Sequence, residues 1–193
     1  MTREEIAELF ERLGRLVAAT KKLAGDGTTW DHTFSNGHTQ RYVIRGLKSL
    51  DEVKDSACNL LLWIWNARDY LKNRAKSLGR DVKEVEKAMN NDRDVVICAD
   101  LAERLKHSGS PRHSRSGLAP RLGKVSIRAP QKAISRLSFQ AREIEVSIKD
   151  AAQVTCLLPV LDEGGREIGD AFVCAQRAIL TLERIRDEIE VAT

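Results

Sequence analysis

The sequence predicts an α+β fold: a bundle of four to five helices with a small antiparallel β-sheet inserted before the C-terminal helix. Outside residues 25–46, residues 1–107 repeat apolar side chains at intervals of three and four, as do residues 170–191. Residues 122–169 instead alternate apolar and polar side chains. The length of 193 residues suits one domain that buries a core without disulfides. We therefore predict a single domain, 1–193, in which a basic flexible loop, 108–121, joins the bundle to the sheet.

Two helix starts carry the spacing of a capping box, in which a hydroxyl and a carboxylate each accept a hydrogen bond from the other residue's backbone amide. Thr2 and Glu5 have this spacing at the first helix, and Ser49 and Glu52 have it at the second. The second helix has about thirty residues, a broad apolar face and Gly79 at its end, and we expect it to be the spine of the bundle.

The other helices begin at acidic residues. Asp81 starts a short third helix and Asp92 a fourth, while the last helix begins near Asp170 and is expected to pack on the second helix. Residues 25–46 are polar and turn-rich. Because Asn-Gly supplies the positive φ angles of a type I′ turn, Asn36-Gly37 makes this segment either a β-hairpin or a long loop.

Charge is distributed unevenly along a chain whose total is +4. Residues 1–100 carry a net charge of +1, residues 101–142 carry +9 and residues 143–193 carry −6. Such a basic block can neutralise phosphates of RNA or DNA, which predicts salt-dependent affinity. Phe139 is the only aromatic residue in the block, so the composition predicts phosphate contact without base readout. The alternative is a solvated surface paired with the acidic segment of this chain or of a protein partner.

Several classes of protein are disfavoured by what the sequence contains. The four cysteines are far apart in apolar surroundings and have no CxxC spacing, which predicts buried free thiols and a reducing cytoplasm. His32 and His38 flank a turn without the ligand spacing of a metal site, so we expect no metal and no other cofactor. No apolar run is long enough to span a bilayer, and the N-terminus is not a signal peptide, so we expect no membrane partner.

The end of the predicted fourth helix holds Arg104, Lys106 and His107 next to the basic loop. Cations at a helix C-terminus are favoured by the helix dipole. Repulsion from the two neighbouring cations also favours a neutral imidazole, which a general base requires. The alternative is a polar helix terminus that caps its own carbonyl groups.

Two stretches, residues 65–71 and 100–107, resemble the HEPN (higher eukaryotes and prokaryotes nucleotide-binding) superfamily, in particular its uncharacterised bacterial members. The resemblance covers about a third of the chain, residues 48–107. It implies a homodimeric helical protein that acts on or contacts RNA or nucleotides in bacterial defence or stress. Many members are ribonucleases whose signature is an arginine followed by four to six residues and a histidine.

The chain departs from that signature. Arg104 precedes His107 by two intervening residues and Arg93 precedes it by thirteen, while the Arg68-Asp69 pair has no histidine at the family spacing. Strict transfer of the catalytic residues therefore fails, and the question of whether the chain is an enzyme stays open.

Three hypotheses follow. In the leading one, a HEPN-like accessory or regulatory protein contacts RNA or nucleotide phosphates through the basic segment. The alternatives are a metal-independent ribonuclease and a non-catalytic protein-interaction module. The candidate catalytic residues are His107, Arg104, Lys106 and Asp69. The candidate phosphate-binding residues are Arg104, Lys106, Arg112, Arg115, Arg121, Lys124 and Arg128.

Overall fold

Five helices form where the apolar periodicity predicts them. The structure is a computed structural model, and it describes residues 1–107 and 114–191. The candidate phosphate-binding residue Arg112 lies outside the described residues, and so do residues 108–113 of the predicted loop. The helices are α1 (Arg3–Lys21), α2 (Leu50–Ser77), α3 (Val82–Asn90), α4 (Arg93–His107) and α5 (Ala171–Val191). With the strands described below, they confirm the predicted α+β class and its helical core.

Both predicted capping boxes are formed. The backbone amide of Thr2 donates to Glu5 Oε2 at 2.6 Å, and the amide of Glu5 donates to Thr2 Oγ1 at 3.1 Å. The same reciprocal bonds join Ser49 and Glu52 at 2.7 and 3.1 Å. These side chains therefore satisfy amide groups that have no partner within the first helical turn.

The chain divides into two compact units. Unit 1 comprises residues 1–19, 56–124 and 158–193, and unit 2 comprises residues 20–55 and 125–157. A compact unit need not fold alone, so the predicted single domain stays a prediction.

The centre of unit 1 is α4. All eight residues from Val95 to Ala102 are buried. A helix with apolar side chains all round is stable only when neighbours cover every side. The prediction that α2 is the spine of the bundle stays a prediction. The last helix, α5, contacts α2 through Arg74 and Glu190. The main helical neighbours of α5 are α4 and α3.

Nine strands form three sheets in the described part of the chain. In unit 1, β3 (Arg121–Leu122), β8 (Pro159–Leu161) and β9 (Glu167–Asp170) pair in the order β3-β8-β9. Unit 2 holds β1 (Thr28–Thr33), β2 (Thr39–Arg45), β4 (Ser126–Arg128), β5 (Ile134–Gln140), β6 (Glu143–Ile148) and β7 (Thr155–Leu157). These six strands form a four-stranded sheet, β1-β2-β6-β5, and a two-stranded sheet, β4-β7.

The largest sheet differs from the predicted antiparallel sheet at 122–169 in two ways. It takes two of its strands from the segment 28–45, and β2 pairs with β6 in parallel. Two neighbouring parallel strands need a long connection. Along the sequence, the connection from β2 to β6 includes α2, α3 and α4. Alternation within a segment indicates a strand but not its partner, which is why the sequence missed this pairing.

The segment around Asn36-Gly37 is a hairpin, which decides between the two open alternatives. The amide of Phe34 donates to the His38 carbonyl at 2.8 Å, and the amide of Gly37 donates to the Phe34 carbonyl at 2.9 Å. Gly37 has a φ of +81°, whereas Asn36 does not have a positive φ. The turn is therefore not the two-residue type I′ turn that the dipeptide suggests.

The two sides of the four-stranded sheet differ in chemistry. Side chains directly opposite one another point to the same side, so one row across all four strands comprises Trp30, Tyr42, Ile144 and Phe139. The other side carries the ion pairs Arg41–Asp31, at 3.0 Å, and Arg45–Glu145, at 2.7 Å. The sheet thus separates an aromatic side from a charged side.

All four cysteines are free thiols: Cys98 and Cys174 are buried, and Cys58 and Cys156 are half-buried. Within the described ranges, none of the helices combines the length and the apolar character needed to cross a bilayer. The described residues also contain no group of three or more histidine, cysteine or acidic residues placed to hold a metal ion.

Candidate functional site

Three cations of unit 1 surround the indole ring of Trp65, a half-buried residue in the middle of α2. The guanidinium carbon of Arg115 lies 4.7 Å from the ring centroid, Lys106 Nζ lies 5.0 Å away, and the guanidinium carbon of Arg68 lies 5.7 Å away. The negative electrostatic potential of an aromatic face attracts cations at such distances. The ring therefore gathers positive charge from α2, from the end of α4 and from the segment after it. We call these four residues the Trp65 cluster.

Arg68 is the buried member of the Trp65 cluster, with 4% of its surface exposed. Its Nη2 donates to Asn90 Oδ1 at 2.7 Å, whereas Nη1 is buried and has no hydrogen-bond partner in the described part of the chain. Burial, followed by the positive charge of Arg115, lowers the pKa of the Arg68 guanidinium from its usual value. Arginine still stays protonated at neutral pH, so the cluster contains a charge that the protein only partly compensates.

Asp100 holds the segment that carries Arg115 against α4. Its carboxylate is fully buried and accepts hydrogen bonds from Ser114 Oγ at 2.6 Å and from the Arg115 amide at 2.8 Å. It also accepts from the amide and the hydroxyl of Ser116, at 2.9 and 2.6 Å. Four short bonds to one carboxylate fix the backbone at these residues, and therefore fix the position of Arg115 over Trp65.

Carboxylates partly oppose the three cations. The negative charges of Glu86, Asp69 and Asp100 act on Arg68. The Arg115 guanidinium forms an ion pair with Glu103, and its Nη1 lies 4.0 Å from Asp100. No ion pair involving Lys106 is recorded in the described part of the chain, and its side chain is exposed. One positive charge of the Trp65 cluster therefore faces solvent without a carboxylate of its own.

The four candidate catalytic residues do not meet in one constellation. Lys106 belongs to the Trp65 cluster, whereas Arg104 Nη2 donates to the Ala119 carbonyl at 3.2 Å. Asp69 pairs with Lys72 at 2.8 Å, and His107 is exposed at the end of α4. Within residues 1–107 and 114–191, no hydrogen bond or ion pair joins any two of the four. This arrangement does not hold an acid and a base on one reacting group.

The candidate phosphate-binding residues are divided between the units. Arg104, Lys106, Arg115, Arg121 and Lys124 belong to unit 1, and Arg128 belongs to unit 2. Arg121, Lys124 and Arg128 are exposed. The guanidinium of Arg115, by contrast, is held by Glu103 and lies over the ring of Trp65.

The sequence analysis did not single out Trp65, and it did not bring Arg68 together with Lys106 and Arg115. The separation of Trp65 and Arg68 by three residues on α2 places them on one helix face, and that signal was available. The approach of Lys106 and Arg115 depends on helix packing and on Asp100. The sequence also could not show that Trp30, Tyr42 and Phe139 lie on one sheet, because that depends on the order of the strands.

Comparison of the chain with protein-family models, with characterised proteins and with solved structures finds no significant match. The HEPN resemblance, and the homodimer that it implies, therefore stay predictions.

Proposed function

We propose that this protein is a nucleic-acid-contacting accessory protein that binds RNA phosphates at the Trp65 cluster. The single observation that carries the proposal is the convergence of Arg68, Lys106 and Arg115 on one indole ring. Like charges held within a few ångströms repel one another, and an anion that binds beside them relieves this repulsion. A phosphate next to Lys106 would supply the carboxylate-like partner that this side chain lacks in the described chain.

The surroundings of the cluster extend the proposed contact. Arg104, Lys106 and His107 occupy the last turn of α4, where the helix dipole favours cations. Exposed Lys106 is available to solvent, whereas Arg68 and Arg115 are held in place by neighbouring residues. Such an arrangement combines a preorganised positive field with one exposed ammonium group, and it favours contact with phosphate over reading of a base.

The proposal predicts that Lys106→Ala weakens RNA binding by removing one electrostatic contact with a phosphate. We would titrate the protein with a fluorescent eight-nucleotide single-stranded RNA of mixed sequence and measure anisotropy at several salt concentrations. Removal of one phosphate contact reduces the slope of log K against log salt by about 0.7 for a single strand. The reduction should be equal for RNAs of different sequence.

Lys76→Ala is the matched control. Lys76 is an exposed lysine on the same helix as Trp65, and eleven residues of helix place it about 16 Å along the axis. Its removal changes the net charge equally but should leave the slope nearly unchanged. The proposal is wrong if the RNA does not bind at low salt, or if the two variants have the same slope.

The same samples test the ribonuclease hypothesis. We expect the RNA to stay intact with the wild-type protein, because His107 has no acid or base partner among the described residues. If the wild-type protein cleaves the RNA and His107→Ala abolishes the cleavage, the protein is a ribonuclease and the accessory role is wrong.

A further inference from the structure

The aromatic side of the four-stranded sheet in unit 2 forms an exposed apolar surface. Phe139 is 69% exposed, Leu137 52% and Trp30 42%. Contiguous apolar surface of this kind on a folded protein commonly marks a binding site. We name this surface the aromatic face. Its members at the described strand positions are Thr28, Trp30, His32, Gln40, Tyr42, Ile44, Leu137, Phe139, Ile144, Val146 and Ile148.

Rings are arranged in order along this face. Trp30 and Tyr42 are stacked, with ring centroids 5.1 Å apart and planes 10° apart. Phe139 lies in the same row, on the strand at the opposite edge of the sheet. Neighbouring strands are about 4.8 Å apart, so the row spans about 14 Å. This length accommodates two or three nucleobases, the number that a four-stranded sheet with exposed aromatic residues stacks.

The charges of the sheet favour a polyanion on this side. None of the strand positions on the aromatic face is acidic, while Asp31, Glu143 and Glu145 lie on the other side. Asp31 and Glu145 are also neutralised there by Arg41 and Arg45. A nucleic-acid strand lying on the aromatic face would therefore meet no carboxylate on the face itself. Asp31 and Glu143 line the cleft next to it, beside Arg142.

Polar groups lie beside the row of rings, two residues further along the strands. Gln40 lies opposite His32 on the aromatic face, and its Nε2 atom is buried and has no hydrogen-bond partner among the described residues. Next to this amide, a cleft of about 790 Å³ is lined by Arg41 and Arg142 and also by the carboxylates of Asp31 and Glu143. Asp31 is paired with Arg41. No ion pair of the exposed Arg142 is recorded in the part of the chain that the structure describes. The exposed guanidinium of Arg142 is thus the cation available beside the rings.

We infer that the aromatic face binds single-stranded nucleic acid by stacking its bases on Phe139 and Trp30, with the backbone directed to Arg142. Stacking on aromatic rings accepts every base, so the recognition is expected to be independent of sequence. This site lies in unit 2 and uses none of the residues of the Trp65 cluster. It goes beyond the proposed phosphate contact by adding base recognition, and it does not depend on that contact.

The test separates aromatic stacking from simple apolar contact. Phe139→Leu keeps an apolar side chain but removes the ring, Phe139→Trp keeps a ring, and Leu137→Ala is the control for lost apolar area on the same face. Each variant would be titrated with the eight-nucleotide RNA and with the same sequence in uncharged methylphosphonate linkages. Phe139 is mostly exposed, so these variants should fold, and circular dichroism checks that they do.

We expect Phe139→Leu to weaken binding of both oligonucleotides about tenfold, while Phe139→Trp and Leu137→Ala change it by less than about twofold. Equal effects of Phe139→Leu and Leu137→Ala, or no effect of either, would overturn the inference. So would a change in molecular mass by light scattering without a change in binding, because a second protein chain would then cover the face.

The uncharged oligonucleotide keeps this outcome separate from that of the proposed function. If Lys106→Ala behaves like its control while Phe139→Leu still weakens the methylphosphonate oligomer, the aromatic face stands and the phosphate contact fails. If Lys106→Ala lowers the salt slope while Phe139→Leu has no effect, the phosphate contact stands and the aromatic face fails.

Discussion

At the scale of single residues, the buried charges of unit 1 explain how the segment after residue 113 is placed. Asp100 and Arg68 are the two charged side chains that the described part of the chain buries. Asp100 lies in the middle of an otherwise apolar stretch of α4, where an unpaired carboxylate would be costly. Its hydrogen bonds to Ser114, Arg115 and Ser116 offset that cost and set the position of Arg115.

Asp100→Asn should lower the free energy of unfolding by about 2 to 3 kcal/mol. The substitution keeps the shape, but its amide group places a donor where the carboxylate accepts from the hydroxyls and amides of Ser114, Arg115 and Ser116. Urea denaturation measures the change. The control is Asp69→Asn, which removes the exposed pair with Lys72 and a charge near Arg68 and should cost less than about 0.5 kcal/mol. Equal losses in the two variants would contradict the role assigned to Asp100.

At the scale of elements, one ion pair joins α2 to α5. Arg74 Nε and Nη2 donate to the two carboxylate oxygens of Glu190 at 2.7 and 3.0 Å, and Arg74 Nη1 donates to the Met1 carbonyl at 3.1 Å. The hydrogen bond from Arg74 holds the pKa of Glu190 below its usual value. The two-point geometry makes this pair stronger than the exposed pairs within α1, such as Arg12–Glu8 at 3.7 Å.

A double-mutant cycle of Arg74→Ala and Glu190→Ala should give a coupling of about 0.5 to 1 kcal/mol at neutral pH. Because the folded-state pKa of Glu190 is lowered, this stabilisation is present above the unfolded-state pKa. It is lost as the pH falls through the lower, folded-state pKa. Urea denaturation of the four proteins at neutral and acidic pH measures it. A coupling that persists after Glu190 is protonated, or one equal to that of Arg12 with Glu8, would contradict the prediction.

At the scale of the whole molecule, the reactivity of the four cysteines measures how well the folded chain protects its buried side chains from solvent. Burial raises the pKa of the Cys98 thiol well above its usual value. Burial, and then a hydrogen bond to Asp94, raises the pKa of Cys174 to about 12. The thiolate is the reactive form of cysteine, so both thiols should be inert in the folded protein.

Titration with a thiol reagent near pH 8 should therefore modify at most two cysteines, Cys58 and Cys156, in the native protein. All four should react in guanidinium chloride. Cys174→Ala is the control. It should lower by one the number of thiols that react in guanidinium chloride and leave the number that react in the native protein unchanged. More than two reactive thiols in the native wild type would show that the core around α4 opens readily.

Helix boundaries could be predicted closely because their signals are local. The capping residues Thr2, Ser49 and Asp81 each lie within three residues of the groups that they bind. Strand identity was partly predictable for the same reason, since alternation marks β6 along its own length. Strand partners were not predictable, because the parallel pairing of β2 with β6 joins segments about a hundred residues apart.

For the candidate site, the sequence located Lys106 and Arg115 in a basic segment but not their common neighbour, Trp65. Charge and composition are properties of the chain and can be counted. The distances of 4.7 to 5.7 Å that bring three cations to one ring depend on the packing of α2 and α4 and on the bonds that Asp100 forms.

By itself, the sequence determined the α+β class, the five helices with their caps and the uneven distribution of charge, since each depends on neighbouring residues. Only the tertiary structure decided that α4 is the buried centre of unit 1 and that the basic segment divides between two units. It alone brought Trp30, Tyr42 and Phe139 into one row. The physical reason is that burial and strand pairing join residues far apart in the chain, and no local pattern records which partner a segment will meet.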